Sequence, residues 1–232
     1  TILVNQNAGT TRDSRIKIRN LNLDGNQANQ TTPATGEMPV IRLWDVTKCL
    51  LQNINVENAR DYAGRFLKCT RTEFFNLNSY SSYGDGWSFG LSADSQPLVD
   101  CKIDNIHAES CLGTYGSLEG NPQLFVVQNC VVGKISGRDS GGGIKIQDAS
   151  ADSTFDSLLF TGNTNGTSNS GVKVQGNNGA SLYPKNINIG QIVSRNAWGV
   201  GLYINHVDSV SIGSYMGFEN GNGGGSGSNE YG

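Results

Sequence analysis

The sequence predicts an all-β solenoid, a single chain wound into stacked parallel coils, and three observations predict it. The first is composition. Among 232 residues, 31 are glycine and only 16% are charged, with Asn and Ser filling much of the polar quota. Gly and Asn are poor helix formers, so this profile suits short strands broken by many turns. The second is a repeat whose units begin roughly 20 to 35 residues apart, a period that marks solenoids. The third is alternation of apolar and polar residues inside each unit, which gives every strand one buried and one wet face. No unit carries a helical 3.6-residue period, which excludes the helical repeat folds.

The units can be read off in order. SRIKIRNLNLDGN (14–26) fits the second half of a unit. VIRLWDVTKCLLQNINVENA (40–59), GRFLKCTRTEFFNLNSY (64–80), QPLVDCKIDNIHAES (96–110) and QLFVVQNCVVGKISGRDS (123–140) each give a strand, a polar corner and a second strand ending near Asn or Asp. GGIKIQDASADSTFDSLLFTGN (142–163), GVKVQGNNGASLYPKNINIGQIVSRN (171–196) and VGLYINHVDSVSIGSYMGFEN (200–220) continue the series. This predicts about 7–8 coils over residues 1–220, each burying its inward residues against the coils above and below. A flexible Gly/Ser-rich tail follows over 221–232.

Charge and cysteine usage narrow the function classes. The net charge is −3 with no basic run, so nucleic-acid binding has no electrostatic footprint. No apolar stretch approaches the roughly 20 residues that span a bilayer. The opening TILVNQNAGT has no signal-peptide pattern and reads as the interior of a longer chain. The five cysteines lack zinc-finger spacing, and their odd number argues against a complete internal disulfide framework. Buried thiols are expected instead. Aligning the units puts Cys69, Cys101 and Cys130 in one inward corner column with Val46, Ala149 and His206. His107 lies on an alternating segment whose neighbours, Ile106 and Ala108, face the other way.

The stretch IKIRNLNLDGNQANQ, followed by recurring NINVENA-type units, resembles the right-handed parallel β-helix proteins of the pectin-lyase-like superfamily. Within that group, LDGNQANQ and GDGWSFG are most similar to phage tailspikes and related capsular polysaccharide depolymerases. The resemblance covers roughly residues 14–220. It implies a protein that binds and cleaves a polysaccharide, a homotrimer, and an extracellular or virion-surface location. It implies no cofactor; a calcium ion would be compatible with the fold, although no loop carries a dense carboxylate cluster. The chain departs from the family in three places. It lacks the opening Gly-Asp-Gly and Asp-Asp segment, so the N-terminal cap is expected to be missing. It also lacks the paired-aspartate and Gly-His motif of polygalacturonases and the Tyr-Gly-Phe-Asp-Pro-His pattern of mannuronan epimerases.

In such a coil the loops before the first strand, together with that strand's outward residues, form a shallow groove. The loops hold Arg60, Asp61, Tyr62, Tyr83, Asp85, Tyr115, Glu119, Arg138, Asp139 and Trp198. The strands add Arg42, Trp44, Arg65, Trp87, Lys145, Lys173 and Tyr203, all read as outward, subject to register slips of one residue. Aromatic rings offer platforms for pyranose C–H faces, while carboxylates and Arg satisfy hydroxyls. The expected substrate contacts are therefore Arg60, Arg65, Tyr83, Trp87, Tyr115, Arg138 and Lys145.

Coils stack at about 4.8 Å. Carboxylates on neighbouring coils would thus bracket the retaining and inverting separations of glycoside hydrolysis, roughly 5–5.5 Å and 6.5–9.5 Å. Asp61 with Asp85 is the close pair, and Glu119 or Asp139 the wider partner of Asp85. Two alternatives stand beside hydrolysis. One is a lyase or epimerase acting on uronic polymers, with Arg60, Arg65, Arg138 or Lys145 neutralising the uronate. The other is a non-catalytic glycan-binding or structural β-helix, in which Gly-Asp-Gly is only a tight turn.

Overall fold

The computed structural model describes residues 3–5, 11–29, 39–90, 97–111, 123–124, 126–139, 143–162, 170–176 and 182–221. The chain is a parallel β-helix. One face stacks eight short strands: Leu3–Val4, Ile41–Trp44, Gly64–Leu67, Trp87–Phe89, Gln123–Leu124, Ile144–Gln147, Val172–Gln175 and Leu202–Asn205. A long face stacks Lys17–Asp24, Leu50–Glu57, Glu73–Tyr80, Lys102–Glu109, Val131–Arg138, Ala151–Thr161, Lys185–Arg195 and Val210–Phe218. Between them runs a short face, from Asp13–Ser14 through Val46–Thr47, Thr70 and Leu98–Val99 to Val127–Gln128. Pairing is parallel throughout, because each rung returns to its starting face before climbing one strand spacing.

Left-handed residues make the corners. In the second rung Asp45 (φ 55°), Lys48 (φ 55°), Asn53 (φ 56°) and Asn58 (φ 51°) turn the chain in sequence. Asn and Asp recur at such places because their short polar side chains tolerate this region better than other non-glycine residues. On the long face the bend residues Asn20, Asn53, Asn76 and Asn105 stack in an amide ladder. The Nδ2 of each donates to the Oδ1 of the one before at 2.9, 2.8 and 2.8 Å. A second ladder runs beside it: Asn55 donates to Asn22 at 2.7 Å and Asn78 to Asn55 at 2.8 Å.

The inward residues make one continuous core. Its densest part is aromatic. Phe66 lies 4.7 Å from Phe74, 5.3 Å from Phe89 and 6.1 Å from Trp87, ring centre to ring centre. Full burial of each such side chain contributes about 1.5–3 kcal/mol, so this knot anchors the third and fourth rungs.

All five thiols are buried and none forms a disulfide, but they do not form the column that the sequence predicts. Pairing sets Val46 beside Cys69, Leu98 and Val127 along the short face. A different column holds Cys49, Thr72, Cys101, Cys130 and Ser153. Cys69 follows the first corner, whereas Cys101 and Cys130 follow the second. His206 is an exposed corner residue (φ 50°) and not part of the core. Burial pushes the Cys69 and Cys111 thiols above their ordinary range. A hydrogen bond with the Cys130 sulfur, with burial second, does the same for Cys101. Thiols held in this way are poor nucleophiles.

Candidate functional site

Two stacked turns carry the residues of interest. The first, 58–63, leads into Gly64–Leu67; the second, 81–86, leads into Trp87–Phe89. They are clamped rung to rung by backbone bonds. Tyr83 N–H donates to the Ala59 carbonyl at 2.8 Å and Gly84 N–H to that of Asp61 at 3.0 Å. Ala63 and Gly64 N–H donate to Asp85 and Gly86 at 3.2 and 3.1 Å. The two glycines are required by close approach: a Cβ on Gly84 would lie 2.7 Å from the Asp61 backbone, and one on Gly86 2.7 Å from the Ala108 Cβ. Gly-Asp-Gly is therefore a packed corner.

That corner encloses charge. Asp61 is 9% exposed, Asp85 1% and Arg65 2%, in a chain where charged groups ordinarily seek water. The Arg65 guanidinium stacks over Tyr62 at 5.1 Å. On the outer side Arg60 lies over the Tyr83 ring at 4.7 Å, and both are half-buried. The expected residues Arg60, Asp61, Arg65, Tyr83 and Asp85 thus lie on two successive rungs, with Arg60 and Tyr83 in contact. The register offsets the two carboxylate-bearing residues by one position, with Asp61 beside Gly84 and Tyr62 beside Asp85.

Trp87 is a correction. It stands in register with Gly64 and Ile41 and points into the core, fully buried, with Nε1 donating to the His107 carbonyl at 3.1 Å. The cause is complementarity between rungs. A Cβ on Gly64 would sit 2.5 Å from the indole, so the glycine below makes the space that the tryptophan fills. Ser88 takes the outward place instead. Lys145 points outward as expected but is 4% exposed, so it is enclosed rather than open. Lys173 lies over Tyr203 at 5.3 Å and Arg42 over Trp44 at 4.9 Å, both pairs half-buried on the same face.

Asp139 and Arg138 do not join this corner. They close the long face of the fifth rung, with Arg138 Nε 3.3 Å from Asp139 Oδ2 and 4.0 Å from Glu109 Oε1. Tyr115 and Glu119 lie outside the described residues.

A cluster that no sequence motif marks lies on the long face. His107 Nδ1 is 2.9 Å from Ser136 Oγ, and its Nε2 is 3.4 Å from Glu109 Oε2. The Tyr80 ring centre is 5.9 Å away. Alternation had placed His107 outward; its partner 29 residues later is set by stacking, which continues the second ladder from Asn78 through His107 to Ser136. Among the described residues no group of three or more His, Cys, Asp or Glu side chains could hold a metal ion, and no helix is long and apolar enough to cross a membrane.

No family model matches the chain, and no curated protein matches it. One solved structure with a similar fold is the catalytic domain of a GH87 α-1,3-glucanase in complex with nigerose. The likeness has a TM-score of 0.43 at 14% identity and covers 87% of this chain. The chain spans about half of that structure, 51%.

Proposed function

We propose that this chain is a carbohydrate-active β-helix that binds and cleaves a polysaccharide by glycosidase-type chemistry at the corner formed by residues 58–63 and 81–86. One observation carries the reading: two carboxylates from successive rungs, Asp61 and Asp85, are almost wholly enclosed in the same pair of stacked turns. Charged groups shielded from water at one place are a common mark of a functional site. In this reading one carboxyl group donates a proton to the leaving oxygen and the other attacks the sugar or activates water. Placement on neighbouring rungs favours the shorter, retaining separation of roughly 5–5.5 Å. Arg60 and Tyr83, on the outer side, contact the saccharide.

A second reading rests on the same turn. Close packing around Gly84 and Gly86 gives Gly-Asp-Gly a structural reason to exist, and the chain would then be a glycan-binding or architectural β-helix. One experiment separates the two. Capsular and cell-wall polysaccharides are incubated with the protein and with Asp85→Asn, and reducing ends and ultraviolet absorbance of unsaturated products are followed. Reducing ends without unsaturation, lost by at least a hundredfold in the variant, are expected. Unsaturated products would indicate elimination on a uronic polymer, and equal cleavage by both proteins would remove Asp85 from the chemistry. The proposal extends to a homotrimer at the cell exterior or virion surface, which sedimentation equilibrium tests for assembly.

A further inference from the structure

The first long-face strand ends at Asp24 in the turn that the sequence marks as DGNQAN. This turn leans on the second rung: Gly25 N–H donates to the Glu57 carbonyl at 2.7 Å and Gln27 N–H to that of Asn58 at 3.0 Å. Its own side chains hold it. Asp24 Oδ1 accepts from Asn26 N–H at 2.8 Å and from Asn58 Nδ2 at 3.3 Å, and Asn29 Nδ2 donates to Asn26 Oδ1 at 2.7 Å. Between the turn and the corner lies a cleft of about 530 Å³, lined by Asp24, Asn26, Gln27, Ala28, Asn58 and Arg60.

We propose that this cleft is a saccharide subsite for a neutral, hydroxyl-rich glycan, holding the part of the chain that runs on from the Asp61–Asp85 corner. Its size falls in the range of small-ligand sites, about 300–1,000 Å³. Its lining suits hydroxyls, which both donate and accept: Asp24 accepts, Arg60 donates, and the amides of Asn26, Gln27 and Asn58 do both. Among the described lining residues one carboxylate stands against one guanidinium, a balance that favours neither an acidic nor a basic polymer. Among the described residues of the lining Ala28 is the one with an apolar side chain. The cross-bonded turn is already in place before ligand arrives, which lowers the ordering cost of binding. Arg60 links the cleft to the corner, since it precedes Asp61 and rests on Tyr83. The position along the glycan rests on the function proposed above; the ligand class rests on the lining.

The test uses the intact chain with assigned backbone amides and four hexasaccharides: nigero-, malto- and xylohexaose, and the acidic hexagalacturonide. At least one neutral hexasaccharide should shift the amides of Asp24–Ala28, Asn58 and Arg60 saturably. Ala28→Trp, which fills the cleft from an exposed position, should weaken that binding tenfold or more with thermal unfolding unchanged. Gln27→Ala should weaken it several-fold. Shifts absent from these amides with all four sugars, stronger binding of the acidic one, or unchanged affinity in both variants would each overturn the proposal. Binding here by a protein that cleaves nothing would sink the hydrolase reading and leave the subsite standing. Cleavage of a neutral hexasaccharide with KM unmoved by both variants would do the reverse.

Discussion

Asn53 occupies the middle of the long-face amide ladder, donating to Asn20 at 2.9 Å and accepting from Asn76 at 2.8 Å, with φ at 56°. Alanine there deletes two side-chain bonds and keeps a left-handed backbone that alanine dislikes. Each bond is worth about 0.5–1.5 kcal/mol net, and solvent exposure of the ladder puts these near the lower end. The left-handed conformation costs a β-carbon-bearing residue about 1–2 kcal/mol, a penalty that asparagine partly evades. The loss expected for Asn53→Ala is therefore about 2–3 kcal/mol. Asn53→Gly loses the same bonds but not the backbone fit, and greater unfolded-chain freedom adds about 0.5–1 kcal/mol, for about 1–2 kcal/mol in all. Equilibrium urea unfolding of wild type and both variants measures the two quantities, with unchanged m-values confirming that the native rungs persist. An Asn53→Ala, Asn76→Ala double-mutant cycle isolates their bond, expected at about 0.5–1 kcal/mol. If both variants stay within about 0.5 kcal/mol of wild type, the ladder is decoration, and corner geometry has some other source.

Gly64→Ala places a methyl group 2.5 Å from the Trp87 ring and 2.9 Å from that of Phe66; overpacking of this kind costs about 1–3 kcal/mol, and near-ultraviolet dichroism of the tryptophan band should weaken with it. An unchanged spectrum and stability would mean that Trp87 is not seated over Gly64. The buried thiols predict alkaline lability. Cys69 and Cys111 resist ionisation in the fold because burial disfavours the thiolate, so their contribution is complete below the unfolded thiol pKa, about 8.5. Above it the unfolded chain alone releases protons, and stability falls by about 1.4 kcal/mol per pH unit for each such thiol. Urea titrations at about pH 8 and 10 on wild type and Cys69→Ala should show a shallower fall in the variant; equal slopes would contradict burial of Cys69.

Much of this fold is legible in local sequence. A period-two alternation says which residues of one strand share a face, and polar residues at the corners say where the chain turns. That is why Arg42, Arg65, Lys145, Lys173 and Tyr203 take the outward places expected of them. The candidate corner was legible for a related reason: Asp61 and Asp85 sit in turns one unit apart, and stacked units bring them to the same end of neighbouring rungs.

Stacking register was not legible, because alternation cannot count across a turn. The first and second corners are built alike, an apolar strand end, a left-handed polar residue and then an inward cysteine, as in FLKC (66–69) and LVDC (98–101). Nothing local tells them apart, so thiols from two columns read as one. Trp87 follows a glycine-rich turn that can deliver the strand in either phase, and the inward phase is matched by Gly64 on the rung before, which leaves the space that the indole fills. The chain's own residues decide that it coils, since strand alternation and corner chemistry act within a few positions. Which side chains meet, His107 with Ser136 or Arg60 with Tyr83, is settled only when rungs pack, because those contacts depend on volume and register between segments distant along the chain.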